Sequence, residues 1–361
     1  MWIDCGLSTA DSFKMQWTLK RVRRPLNPSF LRKRRPALMK PKVFVTRPLP
    51  AAVLERLTAR CDLEYHPQDT PLSTAQMAEA CREAEGVMVC GARLDEEVLR
   101  HAPCLRVVSS VSVGYDNIDV AGCTRRRIPV TNTAGVLEET TADLAFALLL
   151  AVARRVVEGD RYVRDRRWKQ WEWGLLWGAD VHHKTLGIYG FGRIGQAVAR
   201  RGRGFTMRIL YHSRHRAPEA VERELGAQLV DPNTLLGESD FLSLHVPLTP
   251  ETHHLIGTRE LGLMKPTAFL INTARGKVLD EEALARALES RTIAGAGLDV
   301  FEQEPQVHPA LASMPNVVLM PHVGSGTAET RLNMAMLAAE NLLAALDGRR
   351  PPNVVNPEVY A

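Results

Sequence analysis

Leu186-Gly187-Ile188-Tyr189-Gly190-Phe191-Gly192-Arg193-Ile194-Gly195 carries the reading of the fold. A short apolar strand runs directly into G-x-G-x-x-G, and the residues after it have helical character. The glycine pattern alone is weak, but between a strand and a helix it is specific. Its glycines permit a tight turn and a close backbone approach, so that a pyrophosphate can meet the free amides and positive end of the helix. Gly190, Gly192, Arg193, Ile194 and Gly195 are therefore candidate dinucleotide contacts.

Working outward, strands are expected at 208–212, 240–244, 268–272, 294–298 and 317–319. On the other side they are expected at 42–46, 86–90, 105–109 and around Val130, with helical periodicity over 50–60, 73–84 and 95–101. This alternation of strand and helix predicts parallel α/β architecture. A chain of 361 residues exceeds what one core usually supports, so two domains are expected. A long helix over 138–157, apolar on several faces, suits a domain junction or subunit interface. The last helix, 328–346, ends before Gly348 and Pro351-Pro352. Four of the six tryptophans fall within 168–177, which reads as a loop packed on a partner subunit, overhanging the site, or packed within the chain.

Hydrophobic residues at 45% and charged residues at 24% describe an ordinary globular protein. The longest apolar run, 144–152, ends at Arg154 and is far shorter than the roughly 20 residues a membrane helix needs, so no membrane span is expected. The six cysteines show no metal or C-x-x-C spacing and read as reduced thiols of a cytoplasmic protein. The net charge of +5 is concentrated at one end: residues 1–38 hold nine Lys/Arg against Asp4 and Asp11, leaving −2 for the remainder. Nucleic-acid binding is therefore not expected. Residues 1–38 lack the apolar core of a secretory signal and read as a disordered basic extension, with Met39 a candidate start.

An NAD-preferring site would place an acidic residue about 20 residues beyond the glycine motif, on the ribose 2′-hydroxyl. Here no acid occurs from Gln196 through Pro218, and the strand end reads Tyr211-His212-Ser213-Arg214-His215-Arg216. Ser213, Arg214 and Arg216 offer donors to a 2′-phosphate, which favours NADPH, with NADH possible.

Three further segments lie just beyond expected strands: Asn272-Thr273-Ala274-Arg275-Gly276, Gly297 to Pro305, and Pro321-His322-Val323-Gly324-Ser325. The carboxyl ends of parallel strands form the ligand crevice, so Arg275, Glu304 and His322 can converge there. For the adjacent His182-His183 no acidic or cysteine cluster is at hand; the pair reads as structural, and no metal is expected.

These segments, with Ser112-Val113-Gly114-Tyr115-Asp116-Asn117 and Asp180 to Gly187, resemble the D-isomer-specific 2-hydroxyacid dehydrogenases. Among them the chain is most similar to bacterial glyoxylate/hydroxypyruvate reductases that also act on 2-ketogluconate. The resemblance covers about 41–357 and departs from the family at 1–38. It implies two Rossmann-like doubly wound sheets: a flavodoxin-like substrate domain of 39–138 plus 336–361, and an inserted dinucleotide domain of 139–335.

By the same resemblance His322 is the acid/base, Glu304 its carboxylate partner and Arg275 the substrate-binding arginine. The amides of Val113 and Gly114 would hold the substrate carboxylate. Asp299 would lie near the nicotinamide carboxamide, and Thr273, Ala274 and Gly324 beside the cofactor. His245, Val246 and Pro247 would line the adenosine side, with Thr252 near the phosphates. A homodimer through 139–185 is implied.

In such a site an imidazolium donates the proton that a developing alkoxide needs, a neighbouring anion favours that acid form, and one planar guanidinium can both bind a carboxylate and polarise the adjoining carbonyl. Phosphoglycerate- and lactate-type enzymes are the alternatives within the family, and a dinucleotide-sensing corepressor the alternative outside enzymes. Glu304 beside the histidine disfavours formate oxidation, where similar proteins carry Gln.

Overall fold

The structure, a computed structural model, describes Lys40–Ala361; the expectations for residues 1–38 lie outside the described residues. Twelve strands form two sheets among those residues. The first contains β1 (Lys42–Val45), β2 (Asp62–Tyr65), β3 (Gly86–Val89), β4 (Val107–Ser110) and β5 (Val130–Thr131). The second contains β6 (Thr185–Tyr189), β7 (Arg208–His212), β8 (Ala227–Leu229), β9 (Phe241–Leu244), β10 (Phe269–Asn272), β11 (Gly295–Leu298) and β12 (Val317–Leu319). The helices are α1 (Ala51–Arg60), α2 (Thr74–Cys81), α3 (Glu96–Arg100), α4 (Val120–Arg125), α5 (Glu138–Ala153), α6 (Val156–Arg164), α7 (Arg193–Gly204), α8 (Glu219–Leu225), α9 (Pro232–Glu238), α10 (Thr258–Leu263), α11 (Glu281–Glu289), α12 (Pro309–Ser313) and α13 (Ala328–Leu346).

All ladders between these strands are parallel. The orders β2-β1-β3-β4-β5 and β12-β11-β10-β9-β6-β7-β8 are both doubly wound, the first of the flavodoxin kind and the second of the dinucleotide-binding kind. In the second sheet the order reverses between β6 and β9, and the crevice opens at their carboxyl ends. The inner strands β3, β4, β9, β10 and β11 are buried along their whole length, as strands covered by helices on both faces must be.

Helix α13 belongs to the first sheet's core: Met334, Ala338, Leu342 and Leu346 pack with Val43, Val45 and Val107. The tail follows it, Val354 bridging antiparallel to Thr131. Helix α5 packs instead with α7 and the second sheet, Leu148, Leu149 and Val152 sharing a core with Ile188 and Val198.

The single helix expected over 138–157 is two. Helix α5 ends at Ala153, and Arg155 takes a left-handed backbone with φ 54° before α6 begins. The cause lies downstream. The Ala179 amide donates to the Ala153 carbonyl at 2.8 Å, taking an acceptor that a continuing helix would use. Gly178 permits this approach, because a Cβ there would lie 2.3 Å from the Ala153 oxygen. Strands β2 and β8 and helix α4 escaped the sequence reading: β2 is a polar edge strand and β8 has three residues, so neither shows a clear period-two pattern. No helix among the described residues is long and apolar enough to cross a membrane.

Candidate active site

Strand β10 ends at Asn272, whose buried side chain shapes the loop beyond it. Its Oδ1 accepts from the Ala274 amide at 3.0 Å, and its Nδ2 donates to the Arg275 carbonyl at 2.9 Å. The Arg275 side chain then leaves the second sheet for the first: Nε donates to Asp116 Oδ1 at 2.8 Å, and Nη1 to the Ala274 carbonyl at 2.8 Å. Gly114 lies beneath it, and a Cβ there would fall 1.4 Å from Nη2. The loop of Val113 and Gly114 is held by Ser112, which donates to the Gly114 carbonyl at 2.6 Å, and by Asn132, which donates to the Val113 carbonyl at 3.0 Å. Arg275, Val113 and Gly114 thus come together from two sheets.

Beyond β11 and β12 stand Glu304 and His322. Glu304 Oε2 lies 2.7 Å from His322 Nδ1, and its Oε1 accepts from the Phe301 amide at 3.0 Å. Burial alone would raise the Glu304 carboxyl, but the hydrogen bond and charge of His322, with the Phe301 amide and the Arg275 guanidinium, leave it below the ordinary carboxylate value. Gly276 brings the Arg275 loop against this segment; a Cβ there would lie 1.9 Å from the Phe301 carbonyl carbon.

His322 takes a left-handed backbone, φ 53°. Asp299 holds it there: its carbonyl accepts from the His322 amide at 2.8 Å, and its Oδ1 accepts from the Val323 amide at 2.8 Å. Burial pushes the Asp299 carboxyl up, against the Val323 amide and the charge of His322. Gly324 sits beside Asp299 Oδ2, 3.2 Å from where its Cβ would be.

The glycine loop follows β6. Gly190 has φ 95°, and a Cβ there would lie 2.7 Å from the His245 carbonyl, with Val246 on its other side. Gly195 lies as tightly under the Gly190 carbonyl, at 2.2 Å. Gly192 differs: nothing stands within 4 Å of its Cβ position, and no side chain caps the start of α7. The first-turn amides at Arg193 and Ile194 are thus left without a side-chain cap, which suits a pyrophosphate. Of the buried polar atoms without a hydrogen-bond partner among the described residues, which include Thr133 Oγ1, His308 Nδ1 and Asn341 Oδ1, two lie at this crevice, Thr273 Oγ1 and Asp299 Oδ2, as groups awaiting a ligand would. These features fit a bound dinucleotide.

His245 is held neutral, burial driving its pKa down to about 3, and its Nε2 lies 2.7 Å from Ser243 Oγ. Thr252 closes the turn after Pro247, donating to that residue's carbonyl at 2.6 Å and accepting from the Thr249 amide at 2.8 Å.

At the end of β7 the three expected donors separate. Arg216 is gripped by Glu222 of α8, Nη2 to Oε2 at 2.8 Å and Nε to Oε1 at 3.1 Å. The buried Tyr211 donates to the same carboxylate at 2.5 Å and accepts from the Ala217 amide at 2.9 Å. Ser213 and Arg214 stand clear of this network, and Arg214 is exposed without an ion pair among the described residues. Sequence inspection missed Glu222, which lies just outside the acid-free window, and it missed Asp116 and Asn272 because their partners are set by the fold. His182 and His183 stack edge-on at 5.2 Å, and among the described residues no group of three or more His, Cys, Asp or Glu could hold a metal ion.

Comparison with known proteins agrees with this geometry. A family model described as the NAD binding domain of D-isomer specific 2-hydroxyacid dehydrogenase matches residues 146–324. The glyoxylate reductase of Thermococcus litoralis is 52% identical over 326 residues, 89% of this chain and 98% of that protein. The glyoxylate reductase of Korarchaeum cryptofilum is 53% identical over 325 residues, 89% of this chain and 97% of that protein. Among solved structures, the NADPH-dependent glyoxylate/hydroxypyruvate reductase of Sinorhizobium meliloti, in complex with NADP and malonate, superposes with a TM-score of 0.81 at 35% identity, covering 89% of this chain and 98% of that one. With a dinucleotide crevice, a carboxylate–imidazole pair and an arginine between two doubly wound sheets, and relatives matched over nearly their whole length, the chain belongs to the D-isomer specific 2-hydroxyacid dehydrogenase family.

Proposed function

We propose that the protein reduces small 2-keto acids, glyoxylate and hydroxypyruvate first and 2-ketogluconate also, to D-2-hydroxy acids, with NADPH preferred over NADH. The observation that carries this reading is the 2.7 Å contact of Glu304 with His322, in a site that Arg275 enters from the neighbouring loop. The glyoxylate reductase names of its relatives support the substrate class. The open Ser213-Arg214 corner and the NADP complex of a relative support the cofactor.

When bound, the dinucleotide supplies the hydride. The chain supplies the rest. Arg275, its Nε side fixed by Asp116, presents its remaining edge to the substrate carboxylate and carbonyl, while the Val113 and Gly114 amides meet the carboxylate. His322 gives its proton to the oxygen that becomes the hydroxyl, and Glu304, ionised, stabilises the imidazolium beforehand. Thr273, Ala274, Asp299, Gly324, His245, Val246, Pro247 and Thr252 line the cofactor in this reading, with Arg216 acting through its position beside Arg214.

We assign residues 39–138 and the chain from helix α13 onward to the substrate domain, rather than only 336–361, because Met334 and Ala335 of that helix already pack with the first sheet, and we assign the residues between to the dinucleotide domain; we read the protein as a cytoplasmic homodimer. The five described cysteines are all unpaired thiols, which suits a reducing compartment. Helix α6 buries none of its residues, and Val156, Val163, Trp171 and Trp173 are more than half exposed, an apolar surface that suits a second copy.

The deciding experiment measures kcat/KM for glyoxylate, hydroxypyruvate, 2-ketogluconate and pyruvate with each cofactor. Glyoxylate and hydroxypyruvate with NADPH should lead. A lead for pyruvate would make the enzyme lactate-type, and dinucleotide binding without turnover would make it a binding module.

A further inference from the structure

Glu302 lies two residues before Glu304, and both of its carboxylate oxygens are engaged inside the protein. Oε1 accepts from the Glu281 amide at 2.8 Å, and Oε2 lies 3.2 Å from His254 Nε2. The pairing with Glu281 is reciprocal, since the Glu302 amide donates to Glu281 Oε1 at 2.7 Å. Glu281 opens helix α11 and is only 6% exposed; burial, with the Glu302 charge, pushes its carboxyl up. Two carboxylates so close, one of them buried, oppose each other electrostatically, yet the clasp they make joins three separate pieces of chain. These are the start of α11, the turn holding His254, and the Phe301–Glu304 segment.

The segment is also confined one residue earlier, at Phe301. Gly276 presses on it so closely that a Cβ would lie 2.0 Å from the Phe301 oxygen. Phe301 in turn gives its amide to Glu304 Oε1 at 3.0 Å. The carboxylate that faces His322 is therefore placed by a backbone held at successive residues, Phe301 by Gly276 and Glu302 by Glu281 and His254.

We infer that Glu302 is a positioning residue: clasped by Glu281 and His254, it holds the Phe301–Glu304 backbone so that Glu304 stays in register with His322. It touches no reacting atom in this account and acts through Glu304, so the inference rests on the reading of Glu304 and His322 as the reactive pair.

The test is a double-mutant cycle on the full-length enzyme with Glu302→Ala, Glu304→Gln and the double variant. It is read as kcat and KM for glyoxylate, with NADPH affinity by fluorescence titration as a check on the folded state. Misplacing a reacting group by a fraction of an ångström to an ångström costs up to about a hundredfold, so Glu302→Ala should lower kcat about ten- to a hundredfold, with NADPH affinity within about twofold. Glu302→Gln, which keeps an acceptor for the Glu281 amide, should recover most of the loss. In the Glu304→Gln background, Glu302→Ala should cost less than about twofold further, because residues acting as a unit are not additive.

An equal penalty in both backgrounds, or an unchanged kcat for Glu302→Ala beside a collapsed one for Glu304→Gln, would overturn the inference and leave the reactive pair intact. An unchanged kcat for Glu304→Gln would remove both. If alanine at 302 abolishes NADPH binding, His254→Ala, which frees only one Glu302 oxygen, carries the same cycle: a smaller kcat loss that vanishes beside Glu304→Gln supports the inference, and one that persists overturns it.

Discussion

His322 occupies a backbone conformation, φ 53°, that costs a side-chain-bearing residue about 1–3 kcal/mol unless its surroundings enforce it. Asp299 enforces it through two hydrogen bonds of 2.8 Å, and the imidazole is thereby turned to Glu304. If the proton leaves from this imidazole, His322→Ala should lower kcat for glyoxylate by about 10²- to 10⁴-fold, the usual worth of general acid catalysis, with NADPH affinity little changed. Arg275→Lys keeps a charge but not the fork that spans Asp116 and a substrate carboxylate; kcat/KM should fall by about a hundredfold or more, measured by steady-state kinetics. Gly114→Ala sets a methyl group where Nη2 now lies, 1.4 Å from the Cβ position, so the guanidinium must move. Its KM for the keto acid should rise while NADPH affinity holds, a split visible in one kinetic comparison.

At the scale of elements, the corner after β7 separates two side chains that the basic run Arg214-His215-Arg216 placed together. Arg216 braces the corner by its pairing with Glu222, while Arg214 stays exposed, and on the proposed NADPH preference it is Arg214 that would meet a 2′-phosphate. A charge-assisted hydrogen bond contributes about 1.5–3 kcal/mol, so Arg214→Ala should raise KM for NADPH about ten- to a hundredfold and leave KM for NADH nearly unchanged. The Arg216 and Tyr211 hydrogen bonds hold the Glu222 carboxyl below its ordinary value. A depressed folded-state pKa adds stability above the unfolded value, about 4.3, and that stability is lost as pH falls through the folded one. The thermal midpoint of Glu222→Gln should therefore lie below the native one at pH 7, with the gap closing below about pH 4.

At the scale of the whole molecule, the chain passes between the two sheets where α5 and α13 begin, and there Thr140 and Thr330 join side chain to side chain at 2.6 Å. The site lies across this junction, because Asp116 follows the first sheet's β4 while Arg275 follows the second sheet's β10. Such a layout suits a cleft that closes and excludes water during reduction. The apolar surface of α6 and the tryptophan loop belongs to this scale too. Light scattering should give a mass near twice the 40.1 kDa chain, and Val163→Glu combined with Trp171→Glu should shift it toward one chain.

Local information was enough for the strand cores, the glycine turn and the last helix. Apolar runs, period and glycine placement act over a few residues, and 208–212, 317–319 and 328–346 form as the pattern predicts. The rule that ligands gather at strand carboxyl ends also made Arg275, Glu304 and His322 legible as candidates, since each follows a strand closely. Tertiary structure alone decided their partners. Asp116 meets Arg275 across 159 residues, Glu222 reaches Arg216 from the next helix, and Ala179 ends α5 by taking the Ala153 carbonyl. Glu281 and Glu302, two acids that a sequence would leave in water, are clasped together because the start of α11 and the loop beyond β11 are packed against each other. A hydrogen-bond partner is chosen by proximity in space, and no local pattern encodes which distant backbone will fold alongside.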